Sequence, residues 1–369
     1  MPSIGPAPSG NWTGIHWLDV PVTNATPGAF SSIAGWSGGY LRFSDIVATA
    51  SDGQNYEVIA TAHSIDGLRW EPGQDLRPTA DIGIASFSVV EGPAGLLAMA
   101  WPDGYTGGIP TVQAMWSSTD AVQWRPLDLA RAFGSDARVE QISAGSTGYV
   151  AKGESTTPDA WQPAVWTSSD AIVWRKVNLD GPAFKNSLIS DAAAFAGGYV
   201  IAGAVLVPDG GCGGPATTTP SLWWSPDGAT WSRDAVTGTT SATGTGSNAF
   251  MSVCRITDRA LLATEWADQN GAVTTAMWTS TDGRTWKPLA GSFISGSVIT
   301  DGRHGVVVQA PSSGNVTILA FTDHLGLVTL AQTGDLPQEW EPYSVALGPV
   351  GLVIASHDGS QIWVGVPTA

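Results

Sequence analysis

The sequence predicts an all-β fold, a seven-bladed β-propeller with four antiparallel strands per blade, closed by the N-terminal strand joining the last blade. Three observations carry that expectation. A Ser-x-Asp-(Gly/Ala)-x-x-Trp segment recurs five times, and its closing tryptophan falls at Trp70, Trp124, Trp174, Trp231 and Trp286, a period of 50 to 57 residues. Repeats of that length made of strands and turns belong to propellers, one blade to a repeat. Composition agrees: 45 Gly, 24 Pro and 18 Trp in 369 residues, with 13% charged, suit many short strands joined by turns. No sustained run places apolar residues at helical spacing. Finally, a Gly-Tyr junction between two apolar runs recurs at Tyr40, Tyr149 and Tyr199, with Leu96, Leu261, Val306 and Leu352 holding the same place elsewhere. Seven junctions imply seven blades.

Each repeat runs in one order: a connection, an apolar first strand, the junction, an apolar second strand, a variable loop, and a hairpin of third and fourth strands. An Asp-Gly or Asp-Ala turn between aromatic and β-branched runs is the signature of a tight hairpin. The blades fall at about residues 21–70, 71–124, 125–174, 175–231, 232–286, 287–329 and 330–369 plus 11–20, within a single domain spanning residues 1–369. The sixth hairpin, residues 321–329, is degenerate, with Leu325 in place of the Asp and Thr329 in place of the Trp. That alignment makes Trp340 a loop residue. The seventh blade starts near Tyr343, reaches its third strand with Trp363, and then the chain ends. Residues 13–20 supply the missing fourth strand, with Trp17 in the closing slot, which removes two open sheet edges.

The hairpins resemble the Asp box, or bacterial neuraminidase repeat, of sialidase-like and several other glycan-active propellers. The form here is one residue shorter than the usual Ser-x-Asp-x-Gly-x-Thr-Trp, as Ser280, Asp282, Gly283, Thr285 and Trp286 illustrate. The resemblance covers nearly the whole chain and implies a fold rather than an activity. It implies that Asp66, Asp120, Asp170, Asp227 and Asp282 cap backbone N–H groups of their turns while the paired tryptophans pack between blades. A sialidase also needs an arginine clamp and a Tyr–Glu nucleophile pair. The Arg-Ile-Pro signature is missing here, Tyr40, Tyr149 and Tyr199 are committed to junctions, and Arg138 and Arg255 are too few for the clamp.

Charge and cysteine usage narrow the function. Lys and Arg total 16 against 32 Asp and Glu, a net charge of −16, and that field repels nucleic acid and anionic bilayers. No apolar run approaches the roughly 20 residues of a membrane span, so no membrane insertion is expected. The first dozen residues lack the basic and apolar regions of a signal peptide. A Gly-, Thr- and Trp-rich, Lys-poor chain is nevertheless typical of exported proteins, so a secreted or cell-surface monomer lacking its leader is expected. Cys212 and Cys254 stand in no metal-ligand spacing; a disulfide between them and two unrelated buried thiols both remain open. No cofactor is implied.

The first-to-second and third-to-fourth turns share one face, so a site belongs on the opposite face, around the channel mouth. Eleven tryptophans occupy repeat slots. Trp101, Trp161, Trp266 and Trp340 do not, and map to that opposite face. The position five residues past the junction Tyr holds Asp45, Trp101, Glu154, Ala204, Trp266, Pro311 and His357 in turn. A slot that varies while its neighbours repeat is not dictated by packing. Flat aromatic faces beside carboxylates suit a sugar, so Trp101, Trp161, Trp266 and Trp340, with Asp45, Glu154 and His357, are the expected contacts of a glycan or other extracellular ligand. Glycoside cleavage would need two carboxyl groups roughly 5–10 Å apart, and Glu154 with Glu265 is the pair to consider. A lyase reading would rest on His357, Tyr105 and Arg138. A protein-interaction scaffold is the third reading.

Overall fold

The computed structural model describes residues 6–21, 31–49, 55–77, 84–102, 112, 114–156, 160–207, 217–234, 236–243, 248–269, 271–290, 297–309, 316–337, 340–356 and 361–369. These form seven antiparallel sheets, six with four strands in sequential order and one completed by the N-terminal strand, the blades of a β-propeller. One sheet gains a short fifth strand, Ala242–Thr243, against Thr217–Ser225. Among the described residues helix is confined to Leu129–Phe133 and two 3-10 turns, Pro182–Phe184 and Thr333–Asp335. The chain separates into two compact units, one of Met1–Glu91, Gly95–Asp128 and Ser295–Ala369, the other of Gly92–Ala94 and Leu129–Ile294.

In the first unit the N-terminal strand Gly14–Pro21 pairs antiparallel with Gln361–Thr368, so the start of the chain completes the last sheet. Trp17 lies opposite Gly365. A Cβ at Gly365 would sit 2.7 Å from the Trp17 ring and 2.5 Å from Ile15, so any side chain there would crowd both. Buried Trp12, Leu347, Ile354 and Trp363 continue that core. A second cluster gathers Leu41, Phe43, Ile59, Trp116 and Trp124, with Phe43 stacked on Phe87 at 5.2 Å. Trp340 heads the strand Trp340–Gly348 opposite Ser356 and is therefore not a loop residue. The strand carries an irregularity between Trp340 and Val345 that lets pairing resume upstream of the regular repeat.

In the second unit three sheets open on the strands Ala137–Gly145, Ser187–Phe195 and Asn248–Thr257. Their cores hold Val150, Val165, Tyr199 and Trp223 in one cluster and Phe195, Leu261, Trp278 and Trp286 in another. The junction tyrosines reach from one sheet to the turn of the sheet before. Tyr199 donates to the Thr147 carbonyl at 3.4 Å, and the Tyr149 hydroxyl accepts the Ala94 N–H at 3.1 Å. In the first unit Tyr40 donates to the Gly351 carbonyl at 2.8 Å. The junction motif is thus a repeated tie between sheets.

The Asp turns share one geometry. In each, an Asp oxygen accepts the N–H groups two and three residues on, at 2.9 and 2.8 Å for Asp170 and for Asp227, and 2.8 and 2.6 Å for Asp282. Asp66 and Asp120 make the same pair of bonds. The indole N–H groups of Trp70, Trp174, Trp231 and Trp286 donate back to the turn carbonyl three residues earlier. The fourth strand begins one residue after the closing tryptophan, as Glu71–Pro72, Arg125–Pro126 and Arg175–Lys176 show.

Candidate functional site

The second unit builds a site on the sheet that opens with Ala137–Gly145, at the end opposite the Asp turns. Strands Ala137–Gly145, Gly148–Thr156 and Trp161–Ser168 run side by side there. Arg138 lies opposite Glu154, Glu154 opposite Pro163, and Thr156 opposite Trp161. Cross-strand partners share a face and residues two apart share it too, so Arg138, Glu154 and Trp161 project from one side of the sheet. The Arg138 guanidinium carbon stands 3.7 Å above the centre of the Trp161 ring, a cation–π contact. One indole face is therefore occupied by Arg138, and the side chain remains 37% exposed.

Beside this trio a cleft of about 990 Å³ opens between the strand ends and the connection leading to the fourth sheet. Its lining includes Gln162, Lys176, Asn178, Asp180, Lys185 and Asn186, with buried Phe184 at the base. The Lys176 ammonium donates to the Ser155 hydroxyl at 2.6 Å, and the Asp180 N–H donates to the Asn178 side chain at 3.1 Å. Asn186 holds a left-handed backbone, φ 59°, which asparagine tolerates better than most residues. Amides, one carboxylate and two ammonium groups around a wall with an aromatic at its edge form a polar, concave surface able to hydrogen-bond hydroxyls.

Glu265 is placed differently from Glu154. It lies four rather than five residues past the junction, so strand alternation turns it to the other face. The corresponding positions in the two preceding sheets are Gly153 and Gly203, where a Cβ would come within 2.0 and 1.9 Å of backbone oxygens of Arg138 and Leu188. Those sheets carry register shifts after Val139 and Ile189, and the Glu265 sheet has its irregularity elsewhere, after Arg255. Glu265 is 2% exposed and accepts the Thr240 N–H at 2.6 Å, and burial raises its pKa. It is covered by the segment carrying Thr240 rather than presented at an open surface.

The remaining expected contacts divide. Trp266 is half-buried against Phe250, its cross-strand partner, with ring centres 5.1 Å apart. Trp101 is half-buried near the end of Gly95–Pro102 in the first unit. Asp45 lies in the strand Gly39–Thr49 opposite Ile59, and His357, Tyr105 and Cys212 lie outside the described residues. Cys254 carries a free thiol, pushed up to about 12 by burial and by Asp191. Among the described residues no group of three or more His, Cys, Asp or Glu side chains is placed to hold a metal ion.

Sequence reasoning did not single out Lys176, from the fourth strand Arg175–Lys176, or Asn178 and Lys185, from the connection that follows it. It also passed over a polar cluster on the first strands of the unit. Glu140 and Lys152 form an ion pair. Asp191 accepts the N–H groups of Ala192 at 2.7 Å and Val253 at 3.2 Å, tying two sheets together. Burial pushes its carboxyl up to about 6 against the pull of those bonds and of Lys152.

No protein-family profile matches the sequence, and no curated protein matches it. Solved structures with some likeness include a glycosyl hydrolase from Bacteroides ovatus, 12% identical over 78% of this chain and 96% of that one, TM-score 0.29. Another is the Aleuria aurantia lectin in complex with Fucalpha1-6GlcNAc, 11% identical over 85% of this chain and 100% of the lectin, TM-score 0.36. A third is a Bombyx mori GH32 beta-fructofuranosidase, 12% identical over 100% of this chain and 91% of that one, TM-score 0.29. At these scores the likenesses carry no argument about activity. The fold and site define a class, a β-propeller with an aromatic-edged polar cleft on one sheet of its second unit.

Proposed function

We propose that this chain is a carbohydrate-binding propeller of the cell exterior, which takes a glycan into the cleft beside Trp161. The observation that carries the reading is an exposed indole, braced by Arg138 on one face, next in the chain to Gln162, which with Asn178 and Asn186 lines a cleft. A sugar ring stacks its C–H face on such an indole, while its hydroxyls bond to Gln162, Asn178 and Asn186. Binding is preferred to cleavage because Glu265, the partner that a Glu154 mechanism needs, is sealed from solvent.

A glycan array read together with a reducing-end assay tests this. Retention of one glycan class without release of new reducing ends, lost in Trp161→Ala, is the expected result. Release of reducing ends points to a glycoside hydrolase instead. Neither retention nor release, with a protein partner recovered on the same face, points to an interaction scaffold and overturns the reading.

A further inference from the structure

We propose that the glycan bound beside Trp161 is an acidic oligosaccharide, one bearing carboxylate or sulfate groups; the inference rests on the carbohydrate reading above and names its ligand class. The chain carries twice as many acids as bases, 32 against 16, yet among the described residues the charged side chains lining the cleft are Lys176, Lys185 and Asp180. Arg138 and Glu154, which do not line it, stand opposite each other on the same sheet. The local balance is thus inverted relative to the whole molecule.

These cations are also not consumed internally. The other lysine of this sheet, Lys152, is matched by Glu140. Among the described residues Lys176 has only the Ser155 hydroxyl as partner, Arg138 lies on the Trp161 ring, and Lys185 has no ion-pair partner. A cation left unpaired in a strongly acidic protein attracts the nearest free anion, and in a concave site the field is focused. An ammonium binds an anionic oxygen as a point charge, so both carboxylate and sulfate satisfy it. Size points the same way. A cavity near 990 Å³ lies at the upper end of small-ligand pockets, room for several sugar rings rather than one.

Isothermal titration of the whole chain tests the inference with four probes: cellohexaose as the neutral control, an oligogalacturonate hexamer for carboxylate, a chondroitin sulfate hexasaccharide for sulfate, and inorganic sulfate alone. At low ionic strength at least one acidic oligomer is expected to bind about tenfold or more tighter than cellohexaose, because two unpaired cations each contribute a charge-assisted contact. Whichever of the two binds tighter identifies the anionic group. The gap is expected to narrow in 0.5 M salt, where screening acts over only a few ångströms. It is also expected to close in the Lys176→Gln, Lys185→Gln double variant, while Trp161→Ala weakens acidic and neutral oligomers alike. Equal affinity for neutral and acidic oligomers overturns the acidic preference and leaves the carbohydrate reading standing. Binding of inorganic sulfate as tight as that of the oligomers also overturns it, as a simple anion site. No binding of any oligomer overturns both. A preference that survives unchanged in the double variant places the anion elsewhere and overturns the assignment.

Discussion

At the scale of single residues, the Asp turns show one conformational demand answered in two ways. The residue after each Asp takes a left-handed backbone: Gly67, Gly228 and Gly283 at φ 72–74°, but Ala121 and Ala171 at φ 62° and 61°. A Cβ in that region costs about 1 kcal/mol. Ala171→Gly is therefore expected to raise stability by up to about 1 kcal/mol in urea unfolding, the chain-entropy cost of glycine offsetting part of the relief. Gly228→Ala is expected to act oppositely, by about 1–3 kcal/mol, because its Cβ would also meet Thr167 atoms at 2.7–3.0 Å. Equal effects at the two positions would contradict this.

The carboxylates divide in the same way. Backbone N–H groups hold Asp120, Asp170 and Asp227 below the usual range. Their stabilisation is complete above the unfolded value of 3.8 and is lost as pH falls through the lower folded values. Asp191 runs the other way. Its unfolded carboxyl ionises near 3.8 and its folded one near 6, so between those values the folded chain holds a proton that the unfolded chain has released. That contribution is full below pH 3.8 and is lost as pH rises through 6. Tm measured against pH for the native chain and Asp191→Asn checks it. The variant is expected to lose the decline between pH 4 and 6, and an unchanged slope would contradict the assignment.

At the scale of elements, the hairpins and junctions were legible because they recur. An Asp turn closed by an indole donating back into it needs Ser, Asp and Trp at fixed spacing, and a junction tyrosine needs a fixed distance to the preceding turn. Internal comparison exposes both. The cleft was only half legible. Glu154 and Trp161 stood out as departures from repeated slots, and the register sets them on one face with Arg138. Lys176 closes the fourth strand and Asn178 and Lys185 flank a short 3-10 turn, Pro182–Phe184, at positions that carry no repeated motif. Glu265 illustrates the limit of reading by proximity in sequence. One residue of strand alternation separates half-buried Glu154 and Trp266 from fully buried Glu265. Asp170→Ala, which leaves two turn N–H groups without an acceptor, is expected to cost about 1 kcal/mol, as loss of a helix cap does, while leaving glycan binding unchanged. Thermal melting and the binding assay together check both halves.

At the scale of the whole molecule, seven sheets of one design were predictable from a period near 50 residues, and the N-terminal strand from the absence of a fourth strand after Trp363. The observed pairing of Gly14–Pro21 with Gln361–Thr368 gives that strand eight partners. Removing residues 11–20 leaves an edge unpaired and the Trp12 and Trp17 packing unmade. The truncated chain is expected to melt well below the intact one or to aggregate through the open edge; an unchanged Tm would contradict the role of that strand.

Carbohydrate recognition at the cleft is tested most directly by the indole N–H signals of the 15N-tryptophan-labelled chain during titration with an oligosaccharide it retains. The Trp161 signal, identified by its loss in Trp161→Phe, is expected to shift progressively while those of buried Trp166 and Trp223 stay in place. Saturable binding that leaves the Trp161 signal unmoved would contradict the site.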